Sequence, residues 1–274
     1  MLEVEDLTPK VGAEVFADRD ALLSGEHAAQ LRELLVARGV IVMRGIFLDD
    51  DQQKAFTQTL GELRLGTEYE RINGGLLKIV DIAGTRFWHT DVPYDVMPPF
   101  ASVVTPRVVA PVGGQTEIAN TYAAFEDLPA DEQAYLETLE VVHSMKASMD
   151  KTSPDATLEE IAHWMTYRRV NPLVWRHRSG RKSLTLGTAA SHVIGLHPYD
   201  SRMLLDRLEV HATQEQYVYS HTWQMGDVMV WDNTGVMHRV TPFDPASGRE
   251  LHRYTLEGVE PLSNDPSASE LTSA

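Results

Sequence analysis

Cysteine is absent from the 274 residues, which removes disulfides, thiolate nucleophiles and every zinc or iron–sulfur site built on sulfur. Any metal must therefore be held by imidazole and carboxylate. Basic residues are scarce, 24 Lys and Arg against 40 Asp and Glu, for a net charge of −16 with histidine neutral. Phosphate backbones need a positive surface, so no nucleic-acid partner is expected. No uninterrupted apolar run approaches the roughly 18 residues that mark a bilayer span, and no basic-then-apolar leader opens the chain. No membrane partner is expected, and the cytoplasm is the expected location. Hydrophobic residues make up 43% of the chain, enough for one sizeable core.

Residues 24–38 read SGEHAAQLRELLVAR, with Ser24 in a capping position and Leu31, Leu34 and Leu35 on one face. An amphipathic helix ending at Gly39 is expected. Val40 to Met43 reads as a short apolar strand, and Asp49 to Leu63 as a helix with Phe56 and Leu60 together. These form an N-terminal lobe over about residues 1–65. Short strand signals follow between prolines and glycines: Leu76 to Ile82, Ala101 to Thr105 before Pro106, and Arg107 to Ala110 before Pro111. They return at Lys182 to Leu186, Glu215 to Thr222, Val228 to Trp231 and Arg253 to Leu256. Asp127 to Val141 is expected as a helix started near Pro129, residues 146–155 (KASMDKTSPD) as a mobile loop, and Leu262 to Ala274 as a disordered tail. Strands at this spacing without βαβ alternation favour an antiparallel sandwich or barrel. The expectation is a single domain over residues 1–262, with its β core over about 76–260 and residues 263–274 outside it.

Two segments carry candidate chemistry. In Trp88-His89-Thr90-Asp91, an extended backbone turns His89 and Asp91 to the same face, because strand side chains repeat every two residues. Far downstream, Gly226-Asp227 makes a turn, Val228 to Trp231 a strand, and Asn233 to Gly235 a second turn that delivers His238. Two imidazoles and one carboxylate would occupy one face of a six-coordinate ion and leave positions open, an arrangement suited to oxygen chemistry at Fe(II). The same ligand types would also serve a hydrolytic zinc site. If a strand begins near Arg249, then Arg249, Leu251 and Arg253 share one face, with Glu250 and His252 on the other. Inward-facing guanidinium groups in an acidic protein cost desolvation energy unless they meet anions, and their planar fork clamps a carboxylate or sulfonate.

Over about residues 30–260 the sequence resembles the taurine dioxygenase and phenoxyacetate dioxygenase family of Fe(II)/2-oxoglutarate enzymes. The matching residues are Trp88 through Asp91, Gly113-Gly114-Gln115-Thr116, Trp231-Asp232-Asn233, His238, Arg249 and Arg253, in the family's order. The resemblance implies a mainly β fold with flanking helices around a double-stranded β-helix, or jelly-roll, core. It implies that His89, Asp91 and His238 hold Fe(II) and carry catalysis, and that Arg249 and Thr116 bind the far carboxylate of 2-oxoglutarate. It also assigns Arg253 to the anionic group of the substrate. The implied reaction consumes O₂ and 2-oxoglutarate, releases succinate and CO₂, and hydroxylates a small to medium carboxylate, sulfonate or sulfate ester. Loss of the group on the hydroxylated carbon can follow. Relatives form dimers to tetramers, so a homo-oligomer is expected.

The chain also departs from the pattern. The sulfonate-selecting histidine, tyrosine and asparagine of a taurine enzyme are not recognisable between Glu68 and Trp88, so taurine is not the expected substrate. Val92-Pro93-Tyr94 follows Asp91, and Tyr94 is a candidate substrate contact or a packed core residue. A metal-dependent hydrolase or isomerase on a cupin-like barrel, or a non-catalytic binding protein, is the alternative. His143, His163, His177, His192, His197, His211, His221 and His252 are read as surface or hydrogen-bonded. The basic run from Arg168 to Lys182 is read as answering acidic neighbours or a subunit.

Overall fold

The structure, a computed structural model, describes residues 2–66, 68–80 and 83–264. Its strands are β1 (Glu3–Asp6), β2 (Ala13–Phe16), β3 (Val40–Met43), β4 (Leu77–Ile79), β5 (Ala101–Val108), β6 (Thr116–Asn120), β7 (Glu140–Ser144), β8 (Arg168–Pro172), β9 (Val174–Arg176), β10 (Lys182–Leu184), β11 (Ala190–Val193), β12 (Val218–His221), β13 (Val228–Asp232), β14 (Val236–Val240) and β15 (Glu250–Thr255). Its α-helices are α1 (Arg19–Ser24), α2 (Ala28–Arg38), α3 (Asp50–Leu60), α4 (Glu68–Ile72), α5 (Thr121–Glu126), α6 (Ala130–Leu136), α7 (Met145–Met149), α8 (Leu158–Met165) and α9 (Pro198–Ala212). The molecule is mostly β with helices around the sheets. No helix among the described residues is long and apolar enough to cross a membrane.

A seven-stranded sheet runs in the order β1-β2-β3-β13-β5-β15-β4. Only its β2–β3 contact is parallel among the described pairings. A three-stranded sheet, β12-β6-β14, lies against it, and β11-β7-β8 and β10-β9 complete the strand pairings. The alternation of a pleated strand sorts the faces of the large sheet. Val228 and Val230 of β13 pack with Leu31 and Leu35 of α2 and Phe56 of α3. Met229 and Trp231 turn the other way, onto Ile118 and Val236 of the three-stranded sheet and Leu251 of β15. The space between the two sheets is where the candidate ligands meet.

Several elements differ from expectation. The helix expected from Ser24 is two: Asp18 caps α1 through the Ala21 N–H at 2.8 Å, Gly25 ends it in the left-handed region, and α2 begins after His27, which makes no side-chain cap. Pro106 does not divide β5, which runs through it because β15 shifts register between Glu250 and Leu251, opposite the missing donor. The helix expected over Asp127 to Val141 is only α6, and Glu140 already belongs to β7. The segment expected as a loop at residues 146–155 starts inside α7. The first residues of the expected tail are packed: Leu262 is 2% exposed, and the Asn264 side chain bonds the Val174 carbonyl and the Arg176 N–H. The rest of that tail, residues 265–274, lies outside the described residues, as do residues 81 and 82 of the expected strand from Leu76.

Candidate active site

His238 is the central residue of β14, which follows directly on the expected turn at Asn233 to Gly235, and it faces the inter-sheet space alongside Val236. Its backbone pairs reciprocally with that of His89, the N–H of each donating to the carbonyl of the other at 3.1 and 2.8 Å. This bridge sets the two imidazoles side by side, with ring centroids 4.1 Å apart. Gly187 lies behind His89 so closely that a Cβ there would stand 3.0 Å from the His89 Cα. Asp91 follows on the same face as His89. Its Oδ1 is 3.8 Å from Nε2 of both histidines, and one ligand atom from each of the three residues lies within 4.8 Å of the others. His89 Nδ1 donates to the Phe87 carbonyl at 2.8 Å, which leaves the Nε2 lone pair free for a ligand role. His238 is held neutral, its pKa pushed well below the usual histidine range by burial and by His89. Burial alone would raise the Asp91 carboxyl, but Arg253, with His238 and His89, outweighs it and holds the pKa at about 2. Two imidazole nitrogens and one ionised carboxylate are a fitting donor set for Fe(II).

A cavity of about 360 Å³ opens beside these residues. Arg249 lines it from the turn before β15, 4% exposed, with its guanidinium 4.9 Å from the centre of the Phe243 ring. Among the described residues no carboxylate pairs with it. Burial lowers its pKa to about 10, which still leaves a cation at neutral pH. Gly114 makes the space, since a Cβ there would stand 2.9 Å from Arg249 Cδ and Nε. Thr116, the first residue of β6, lines the same cavity and accepts a hydrogen bond from Trp223 Nε1 at 3.0 Å. Its own hydroxyl hydrogen remains available to a ligand. Arg249, Leu251 and Arg253 do share the inward face, while His252 and Glu250 bond each other on the outer one, where His252 also meets Asp50 of α3.

Arg253, expected to face a substrate anion, donates through Nη1 to Asp91 Oδ2 at 2.7 Å. Its Nε is buried and has no hydrogen-bond partner among the described residues. Tyr94 lines the cavity with its ring 6.1 Å from that of Tyr167, and its pKa is pushed up to about 12 by burial and by Asp95 and Asp91, so it is a neutral phenol. All seven expected site residues thus border one cavity. Sequence reasoning missed Ser148 and Met149 of α7 and Ala189, which complete the wall. No residue type marks them: the turn of α7 toward the cavity places Ser148 and Met149, and Ala189 stands in the turn before β11. It also assigned no task to Trp223, whose link to Thr116 depends on β6 and β12 being neighbours.

The remaining histidines are hydrogen-bonded or paired where buried. His143 bonds Asn171 and the Thr185 carbonyl, His177 meets Glu260 and Ser183, and His221 lies 3.0 Å from Asp227.

The chain is similar to known proteins along most of its length. A relative from Cupriavidus pinatubonensis, an alpha-ketoglutarate-dependent 2,4-dichlorophenoxyacetate dioxygenase, is 32% identical over 89% of this chain and 93% of its own. An alpha-ketoglutarate-dependent sulfate ester dioxygenase from Pseudomonas putida is 31% identical over 99% of this chain and 94% of its own. The crystal structure of AAD-2 in complex with Mn(II) and N-oxalylglycine superposes with a TM-score of 0.85 at 29% identity, covering 96% of this chain and 99% of that one. The profile of one family matches residues 3–255, a span that takes in both histidine segments and both arginines. The chain belongs to that family, the taurine catabolism dioxygenase TauD, TfdA family.

Proposed function

We propose that His89, Asp91 and His238 hold Fe(II), and that Arg249 and Thr116 bind the distal carboxylate of 2-oxoglutarate across the cavity, in an enzyme that hydroxylates an organic anion at the expense of 2-oxoglutarate and O₂. One observation carries this reading: a buried guanidinium that no carboxylate pairs with among the described residues stands in the same cavity as a two-histidine, one-carboxylate cluster. A buried cation without a partner is costly, and a dicarboxylate co-substrate supplies the partner. A hydrolase needs no such clamp, which disfavours the hydrolytic alternative. We read the seven-stranded sheet and β12-β6-β14 as the two halves of a double-stranded β-helix, with residues 1–262 as one domain.

When bound, the iron and 2-oxoglutarate supply O₂ activation and hydrogen abstraction, and the chain supplies placement. His89, Asp91 and His238 would hold the ion at the edge of the cavity. Arg249 would fix the co-substrate's orientation through a charge-assisted contact with its far carboxylate. Arg253 holds Asp91 in its ionised form and has further donors for a substrate anion. Leu77, Ile79, Val92 and Met149 give the cavity an apolar wall, which suits an anion with an apolar body. Aryloxyalkanoates and sulfate esters, the substrates named for the relatives, are of that kind.

The test is a succinate-release screen over aryloxyalkanoates, alkyl and aryl sulfonates and sulfate esters, with product mass spectrometry. Succinate should form only with Fe(II), 2-oxoglutarate and air together. Product formed anaerobically or without the keto acid would overturn the reading.

A further inference from the structure

Val92, the residue between Asp91 and Pro93, has φ 48°. Branched side chains avoid this left-handed conformation, and a following proline restricts the backbone further. A residue held this way persists only where its surroundings over-determine it. Here they do so from both sides. Asn233, fully buried, accepts from the Asp91 N–H at 2.9 Å and donates Nδ2 to the Asp91 carbonyl and the Pro99 carbonyl, each at 3.1 Å. Beyond Val92, Asn171 donates to the Pro93 carbonyl at 2.8 Å, and the Asp95 N–H donates to the Val92 carbonyl at 3.1 Å. Asn233 is itself anchored, its backbone N–H donating to the Phe100 carbonyl at 2.9 Å directly after β13. Its carboxamide therefore joins the Asp91 segment to the rigid centre of the large sheet.

We propose that Asn233 is a positioning residue for the metal centre: by gripping both backbone polar groups of Asp91 it holds Val92 in its strained conformation and keeps the Asp91 carboxylate turned toward His89 and His238. The proposal rests on reading those three residues as the metal site. An isosteric aspartate cannot take over the task, because its second oxygen would face two carbonyl oxygens where Nδ2 now donates. A merely space-filling Asn233 would not depend on the backbone conformation at Val92, whereas a clamp would.

Mn(II) affinity of the purified full chain, read by electron paramagnetic resonance of the free ion without turnover, tests this. Asn233→Ala should weaken Mn(II) binding by about 10–100-fold, the usual effect of losing a group that orients a metal ligand. Adding Val92→Gly should restore most of the affinity, since glycine takes a positive φ without steric cost. Adding Val92→Ala should restore much less of it, because alanine loses the branch but keeps the Cβ penalty. Wild-type affinity in Asn233→Ala, or equal effects of glycine and alanine at position 92, would overturn the proposal alone. A wild-type chain that binds neither Mn(II) nor Fe(II) would overturn the metal reading and the proposal with it. If Asn233→Ala does not fold, thermal melting of the two single variants at position 92 decides: Val92→Gly should melt above Val92→Ala, and the reverse order would show that no strain is stored there.

Discussion

Arg249 and Gly114 form a pair whose parts fail differently. Truncating the arginine removes the cation that answers the co-substrate, so Arg249→Ala should raise the 2-oxoglutarate KM and cost about 2–5 kcal/mol of its binding, as when one partner of a buried charge pair is removed. An unchanged KM would reassign the residue. Gly114→Ala keeps the cation but drives a methyl group into its stem at a position with φ 72°. The result should be a raised KM for 2-oxoglutarate and a loss of about 1–3 kcal/mol of stability, measured together by steady-state kinetics and urea unfolding. The arginines were legible in the sequence because parity along a strand sorts Arg249 and Arg253 from Glu250 and His252. The contact between Arg253 and Asp91 was not, since it joins residues 162 positions apart and depends on how β15 stands beside the extended segment at His89.

At the scale of elements, those that declare themselves are the ones with a clean boundary or a continuous apolar run. β3 and β13 are buried on both faces and read as VIVM and VMVW. α3 opens on Asp49, whose side chain accepts from Gln52 N–H at 2.8 Å while Gln52 answers the Asp49 N–H. Asp49→Ala should cost about 0.5–2 kcal/mol, and Phe56→Ala, at a fully buried position between α3 and the sheet, about 3–5 kcal/mol. Urea denaturation separates the two, and equal losses would contradict the assignment of Phe56 to the core. α9 was missed although Ser201, Leu205, Leu208 and Ala212 form its buried face. Its solvent side carries Tyr199, Met203 and Val210, all more than half exposed, so the polar half of the pattern is blurred. Pro198, which reads as a breaker, instead occupies the first turn.

Across the whole molecule, the acidic balance is reflected in the pairing of the basic run. Arg176 and Lys182 meet Glu137, and Arg181 meets Glu126, so these three answer acidic neighbours in their own chain. Composition made that readable, while the identity of each partner needed the fold. Stability should also carry a pH signature from the buried histidine behind the site. His143 is fully buried, and burial lowers its pKa to about 4, against 6.5 when exposed. The unfolded chain therefore binds the extra proton first, and stability falls as pH drops from about 6.5 toward 4, by about 3 kcal/mol at most for this group. His143→Gln should flatten the melting temperature over that interval relative to wild type; an identical slope in both proteins would remove His143 as the cause.

One convergence carries the metal site: two imidazoles and a carboxylate from segments far apart in the chain meet in the same cavity as a buried guanidinium. Anaerobic equilibrium dialysis of Fe(II) in the presence of 2-oxoglutarate measures it directly. The wild-type chain should retain a single Fe(II), His238→Ala and Asp91→Ala should retain none, and Arg249→Ala should retain the iron while losing the keto acid. Fe(II) held equally by wild type and His238→Ala would contradict it.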